Sequence, residues 1–244
     1  MSKHLQIPAL IRLSLNEQVR KYIEDLLVTT EIKAGDQLPS EKELADRFHV
    51  SIGTIRKAMN DMVSEGLLVR HQGIGTFVIS QKQKDIQDKF LPFHPDDGQP
   101  NAYNASLITF EVVTASRRVA ESLGLIPGSQ VFHIVRMLSD RGIGCILDEQ
   151  WLPYELFVNL TAHQYMTPRK CSIYCFYEEA FGVTVVNFSN RIKACVLEPT
   201  ECEILKQPIG QPALIVERLA YGFGKLPIEL RYSKCVTTQH SFYL

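Results

Sequence analysis

Gly53, Thr54, Arg56, Lys57 and Asn60 are small, polar or cationic residues within one short stretch, and Ile55, Ala58, Met59 and Met62 interleave with them. That alternation has helical spacing, so the apolar set faces inward and the polar set outward. An outward row of this kind is suited to reaching phosphate oxygens and base edges. Elsewhere the means for chemistry are sparse. Glu149 and Glu229 are candidate carboxylates, but there is no paired nucleophile and base, no metal-ligand constellation and no glycine-rich phosphate cradle. Catalysis is therefore the weaker alternative to binding, since an acid in a binding pocket is common without chemistry.

The elements that must position the polar row can be read locally. Ser14 and Glu17 form a capping box that opens a helix over residues 14–30, with Leu15, Val19, Ile23, Leu26 and Leu27 inward. Ser40 and Glu43 form a second box, after which Leu44, Ala45 and Phe48 share a face. His49-Val50 makes a turn and Ser51 can cap the helix that carries the row. Gly66 sits where a left-handed residue would end that helix. Residues 67–69 and 76–79 are β-prone and flank Gln72-Gly73-Ile74-Gly75, a hairpin tip. Two tandem helices followed by a hairpin describe a winged helix-turn-helix.

Charge does not decide its use. Over residues 1–79 the lysines and arginines are matched in number by aspartates and glutamates, whereas a strongly basic head would be an independent footprint. Only local clustering of Lys42, Arg56, Lys57, Arg70 and His71 on one face could supply phosphate attraction. Helix pairs of this shape also occur in proteins that never touch DNA, so on pattern alone both readings stand.

The chain has 244 residues, 45% of them apolar, and a net charge near −1, which suits two modest domains. The first residues carry no apolar segment of signal-peptide length and no long apolar run follows, so a soluble, cytoplasmic protein without a membrane partner is expected. Cys145, Cys171, Cys175, Cys195, Cys202 and Cys235 show no C-x-x-C pair and no histidine at zinc spacing. They are expected to be small buried hydrophobes, with neither metal nor cofactor. Cys171 and Cys175 stand one turn apart, but a bridge there would be strained and no cationic activator adjoins.

Residues 1–79 form the head, and residues 80–106 read as a polar linker with X-Pro breaks, although Phe90, Leu91 and Phe93 suggest that its middle packs onto something. Residues 107–244 read as α+β. Strands are expected over 107–114, 130–138, 145–152, 183–197, 213–221 and 227–236, the last two turning at Gly222-Phe223-Gly224. Helices are expected over 116–123, 172–181 and 199–205, closed in the first two cases by Gly124 and Gly182.

The strings LPSEKELADRFHVSIGTIRKAM and EGLLVRHQGIGTFV resemble the DNA-binding head of the GntR family, whose pattern runs near LPSEREL-A-x-x-F-x-VSR-x-TVR-x-AL, then EGL and GxGTFV. The resemblance implies a transcriptional regulator. It implies operator contacts from Lys42, Ser51, Gly53, Thr54 and Arg56, joined on the same face by Lys57, with the wing tip at Gln72 and Gly73 against the minor groove. Lys42 stands where the family usually has arginine, so a bidentate guanine contact becomes a point charge. Ile52 replaces an arginine found in many members. It could touch a thymine methyl but cannot make a bidentate pair.

LGLIPGSQVFHIVR (123–136), DEQWLP (148–153), SIYCFYEEAFGV (172–183) and PIEL (227–230) resemble the effector-sensing UTRA domain of the family's HutC branch, a fold similar to chorismate lyase. That resemblance implies a small-molecule effector held by Arg136, Ser172, Tyr174 and Glu229, and a homodimer released from a palindromic double-stranded DNA operator. The lyase-like fold keeps residual enzymatic activity as the alternative. Sugar-phosphate-responsive members often carry Arg-x-Arg where this chain has Arg136-Met137-Leu138, and tyrosine where it has Cys235. With those donors lost, a smaller or less charged metabolite is expected, such as a carboxylate, with His94 as a further hydrogen-bonding group.

Overall fold

The computed structural model describes residues 13–29, 31–82, 93–99, 103–169 and 171–242. It divides into two compact units, one ending at Ile79 and the other beginning at Ser80. Phe90 and Leu91, like the first residues of the chain, lie outside the described residues.

The first unit is built from α1 (Leu15–Val28), α2 (Glu41–Phe48) and α3 (Ile52–Ser64), then β1 (Leu68–His71) and β2 (Gly75–Val78). Its starts are set as the side chains dictate. The Glu43 amide donates to Ser40 Oγ at 3.2 Å while the Ser40 amide donates to Glu43 Oε2 at 2.8 Å. His49, at φ 54°, breaks the chain out of α2, and Ser51 Oγ accepts from the Thr54 amide at 3.1 Å to start α3. Val19, Ile23, Leu44, Ile55, Met59, Met62, Leu68 and Val78 fill the core. Emptying one such site by a Met59→Ala change costs about 2–5 kcal/mol.

The second unit holds β3 (Phe93–Pro95), β4 (Asn104–Thr114), α4 (Arg117–Leu123), β5 (Gln130–Asp140), β6 (Ile143–Pro153), α5 (Ala162–Met166), α6 (Ile173–Phe181), β7 (Asn187–Val196), α7 (Pro199–Leu205), β8 (Pro212–Tyr221), β9 (Pro227–Cys235) and β10 (His240–Phe242). Six strands make one antiparallel sheet in the order β4-β5-β6-β9-β8-β7, and β3 pairs with β10 in a separate ribbon. Alternate residues of each strand face opposite sides. One face, with Phe132, Ile134 and Leu152, packs against α5 and α6 through Tyr165, Tyr174 and Tyr177. The other is covered by α4 over Val131 and Leu230, and by α7 over Leu147 and Ala213.

Several expectations need correction. The segment read as a linker is partly structured: Ser80 and Gln81 are buried, Phe93 lies fully buried in strand β3, and β4 begins at Asn104. The strand expected over 183–197 starts only at Asn187, because Val183 and Val186 hydrogen-bond to Tyr177 and Tyr221 outside the ladder. Helix α5 has no counterpart in the sequence reading. Of the cysteines, Cys171 and Cys195 are half-exposed rather than buried.

Candidate functional site

In the first unit, the N-terminal ends of α2 and α3 and the β1–β2 wing enclose a groove lined by Lys42, Ile52, Arg56, Arg70, Gln72 and Gly73, among others. Ser51, Gly53, Lys57, Gln72 and Gly73 are exposed, and Thr54 is half-buried. The hydroxyls of Ser51 and Thr54 are 2.9 Å apart, and Ser51 also caps α3, so both hold the helix start in place. A Cβ at Gly53 would meet nothing closer than Ser51 Oγ at 3.6 Å. Nothing within the folded head therefore requires glycine there, although glycine costs about 1 kcal/mol against alanine inside a helix. Gly73, at φ +76°, is required by the wing turn itself.

The electrostatics of this groove centre on Glu41, which sequence reasoning passed over. Its Oε2 accepts from Arg56 Nε at 2.9 Å and its Oε1 from Arg70 Nη2 at 2.9 Å. One carboxylate thus joins α2, α3 and the wing. Gln37 adds a second tie, donating from Nε2 to the Ile74 carbonyl at the wing tip at 2.9 Å.

In the second unit, a chain of buried polar groups crosses the sheet face beneath α6. Glu229 is completely buried, and Tyr174 and Tyr177 donate to its two oxygens at 2.8 and 2.9 Å. Arg231 meets the same carboxylate through Nε and Nη2 at 2.9 and 2.8 Å. Its Nη1 lies 3.6 Å from Asp148, which is also fully buried. Asp148 accepts from Arg136 Nε at 2.9 Å, Gln150 Nε2 at 2.6 Å and Ser233 Oγ at 2.6 Å. Tyr165 donates to Gln150 and lies under the Arg136 guanidinium, 5.6 Å from ring centroid to guanidinium carbon. Two arginines and two acids make up this chain, and a third buried arginine, Arg218, stands opposite Arg231 on the neighbouring strand.

Burial works against the Asp148 anion, but Arg231 and Arg136 outweigh it and hold the carboxyl at about 2. Burial together with the neighbouring Glu229 charge pushes the Tyr174 and Tyr177 hydroxyls up, so both remain donors. Burial disfavours the Arg231 cation, yet Glu229 and Asp148 raise its pKa well above the usual value.

The structure brings Arg136, Tyr174 and Glu229 into one network. Ser172 adjoins it as the cap of α6, its Oγ accepting from the Cys175 amide at 3.2 Å. His94 lies in the β3–β10 ribbon, opposite Ser241. Glu149 points to the opposite sheet face, where its Oε1 lies 2.9 Å from His133 Nε2. The acid on the network side is its neighbour Asp148. Arg231, Asp148, Gln150, Tyr165 and Tyr177 were missed, although polar residues at every second position of Glu229-x-Arg231-x-Ser233 were a signal for a polar buried face.

Residues 15–78 match the gntR family of bacterial regulatory proteins, and residues 98–241 match the UTRA domain. The "Probable fructoselysine utilization operon transcriptional repressor" of Escherichia coli K12 is 29% identical over 220 residues, covering 89% of this chain and 88% of the relative. The transcriptional repressor NagR of Bacillus subtilis is 26% identical over 222 residues, covering 91% and 88%. The histidine utilization repressor of Pseudomonas putida is 24% identical over 201 residues, covering 79% and 75%. Among solved structures, the ligand-binding domain of a GntR-family regulator from Bordetella bronchiseptica superposes with a TM-score of 0.60 at 28% identity, covering 64% of this chain and 96% of that one. With the winged head and the sheet domain both matched, the chain belongs to the gntR family, in its UTRA-bearing HutC branch, and is a DNA-binding transcriptional regulator rather than an enzyme.

Proposed function

We propose that this chain represses transcription as a homodimer on a two-fold operator and leaves it when a small metabolite enters the network under α6. The observation that carries this reading is the fully buried Asp148–Arg231–Glu229 chain, with Arg136 at its end. Buried ionic groups are costly, and a stable fold can dispense with them, whereas a site that must orient a polar ligand needs them. A carboxylate or zwitterion can exchange for one internal pair, its anionic group on Arg136 and any amine on Asp148 or Glu229. The names of the relatives, which include fructoselysine and histidine utilization repressors, agree with effectors of that size and character.

Helix α6 is the route by which such a ligand would act. Tyr174 and Tyr177 reach Glu229 from one side of it. Glu178, one turn after Tyr174, accepts from Ser80 Oγ at 2.5 Å and the Gln81 amide at 3.0 Å, the first two residues after the head. A ligand that shifts α6 therefore shifts the point at which the chain leaves the head, which is a coupling of two distinct sites. On the DNA side, the α3 row with Lys42 and the wing tip would contact the operator, and dimer symmetry would place the two recognition helices about one helical turn apart.

A thermal-shift screen of carboxylates, amino acids, amino-acid sugars and sugar phosphates tests the effector. Stabilisation by a carboxylate or zwitterion that also releases operator DNA is expected, and stabilisation by amino-sugar phosphates alone would overturn it. Sedimentation of the free chain and of its operator complex tests the dimer.

A further inference from the structure

Cys175 and Glu179 stand one turn apart on α6 and share one helix face, and Cys171 lies just before the N-cap Ser172. Their two sulfurs and a carboxylate oxygen all lie within 4.8 Å of one another. In a tetrahedral zinc site with Zn–S bonds of about 2.3 Å the sulfurs stand roughly 3.8 Å apart. Closing these three atoms around an ion therefore needs an adjustment of about 1 Å or less, within the reach of side-chain rotation. Cys171 and Glu179 are accessible from solvent, which gives an entry path, while Cys175 is buried behind them.

We infer that this triad is a binding site for a thiophilic divalent cation, Zn2+ or Cd2+, with both thiolates and the Glu179 carboxylate as ligands and water in the fourth position. Two sulfurs and one oxygen favour such ions over Mg2+ or Ca2+, which need oxygen donors throughout. The charges close as well. Without an ion, the Glu179 carboxylate is offset by Lys82 Nζ at 3.7 Å. On binding, both thiols release their protons to solvent. The resulting site, two thiolates and a carboxylate around a divalent ion, has a single net negative charge. Lys82 can still balance it, Arg169 lies near Cys171, and the start of a helix favours negative charge.

The site would clamp the first two turns of the helix that carries Tyr174, Tyr177 and Glu178. Metal occupancy would thus act on the same element as the effector without occupying the effector's network.

Titration of the reduced full-length protein with Cd2+ tests this directly, read by the ultraviolet thiolate-to-metal charge-transfer band. One ion per chain is expected, with about two protons released per ion in weak buffer and full reversal by chelator. Cys171→Ser and Glu179→Gln, both at accessible positions, should each weaken binding roughly tenfold or more, as even supporting residues of metal sites do. Cys195→Ser, which alters the other half-exposed thiol, should leave the titration unchanged. Absence of the band, or a band that persists unaltered in both Cys171→Ser and Glu179→Gln, would overturn the assignment. Because the readout is metal binding itself, it is independent of whether any metabolite binds beside Glu229.

Discussion

Arg231 and Glu229 lie two residues apart on one strand and form a two-pronged ion pair, at 2.9 and 2.8 Å, in the interior of the sheet domain. Neighbours at that spacing share a sheet face, but two long charged side chains seldom fold onto each other there without reinforcement. Tyr174 and Tyr177 supply it by donating to both carboxylate oxygens from α6. Removal of the carboxylate leaves a buried guanidinium and two buried hydroxyls without their acceptor. We expect Glu229→Ala to destabilise the sheet domain by about 3–5 kcal/mol, with Glu229→Gln costing less. Chemical denaturation of the two variants checks both the size and the order.

Charge at Glu41 should set how strongly the head meets DNA. Glu41→Gln frees Arg56 and Arg70 from their shared partner. Operator affinity at low salt is expected to rise, with the slope of log affinity against log salt steepening by roughly 1 for each phosphate newly neutralised. An unchanged slope would show that neither arginine reaches the backbone. Arg56→Ala should act in the opposite sense and cost about 1–3 kcal/mol of operator binding.

Gly53 separates stability from recognition. Gly53→Ala should leave the fold intact or raise its stability by about 0.5–1 kcal/mol, since the added methyl meets only Ser51 Oγ at 3.6 Å. If the operator passes close to α3 at this point, the same change weakens DNA binding. Equal affinity of the variant and the parent chain would move the contact elsewhere.

Ile52 is exposed at the first position of α3 and cannot make the bidentate base contact of an arginine. Selection of binding sites from random DNA should yield a half-site that differs from the family's common one at the base pair facing Ile52. Recovery of the common half-site would refute this.

Two titrations have opposite signs. Asp148 is held at about 2, below the 3.8 of an ordinary aspartate. Its contribution, on the order of 2 kcal/mol, is present above about pH 4 and is lost as pH falls towards 2. His133 is raised from 6.5, chiefly by its hydrogen bond to Glu149 and against the effect of burial. Its contribution is present below about pH 6.5 and fades as pH rises through the elevated value. Glu149→Gln should flatten the neutral-range dependence while leaving the acid-range loss in place, as measured by denaturant midpoints across pH.

The head was legible because its signals are local. Ser40 with Glu43, Ser51 with Thr54, and the glycines of the wing each act within a few residues. The sheet domain's site was only half legible because its bonds join distant strands. Asp148 meets Ser233, and Glu229 meets Tyr174. Glu149, read only as a candidate carboxylate for chemistry, faces away from its neighbour Asp148, because successive strand residues point to opposite faces. Residues 93–95 read as linker, with Phe93 expected to pack but no strand foreseen, because the strand that pairs with them is at the other end of the chain. The nearness of Cys171 to Cys175 was legible from their spacing, but Glu179 as a third neighbour was not, because no C-x-x-C or zinc-knuckle pattern points to it.

Glu41 also bears on how the regulator is distributed along a chromosome. A chromosome presents millions of irrelevant sites, and random sequence holds a protein almost wholly through unsatisfied positive charge. A head of zero net charge, with Arg56 and Arg70 engaged by one of its own acids, has little to offer such sites. Few copies are then sequestered away from the operator, so a small pool of protein can keep its target occupied.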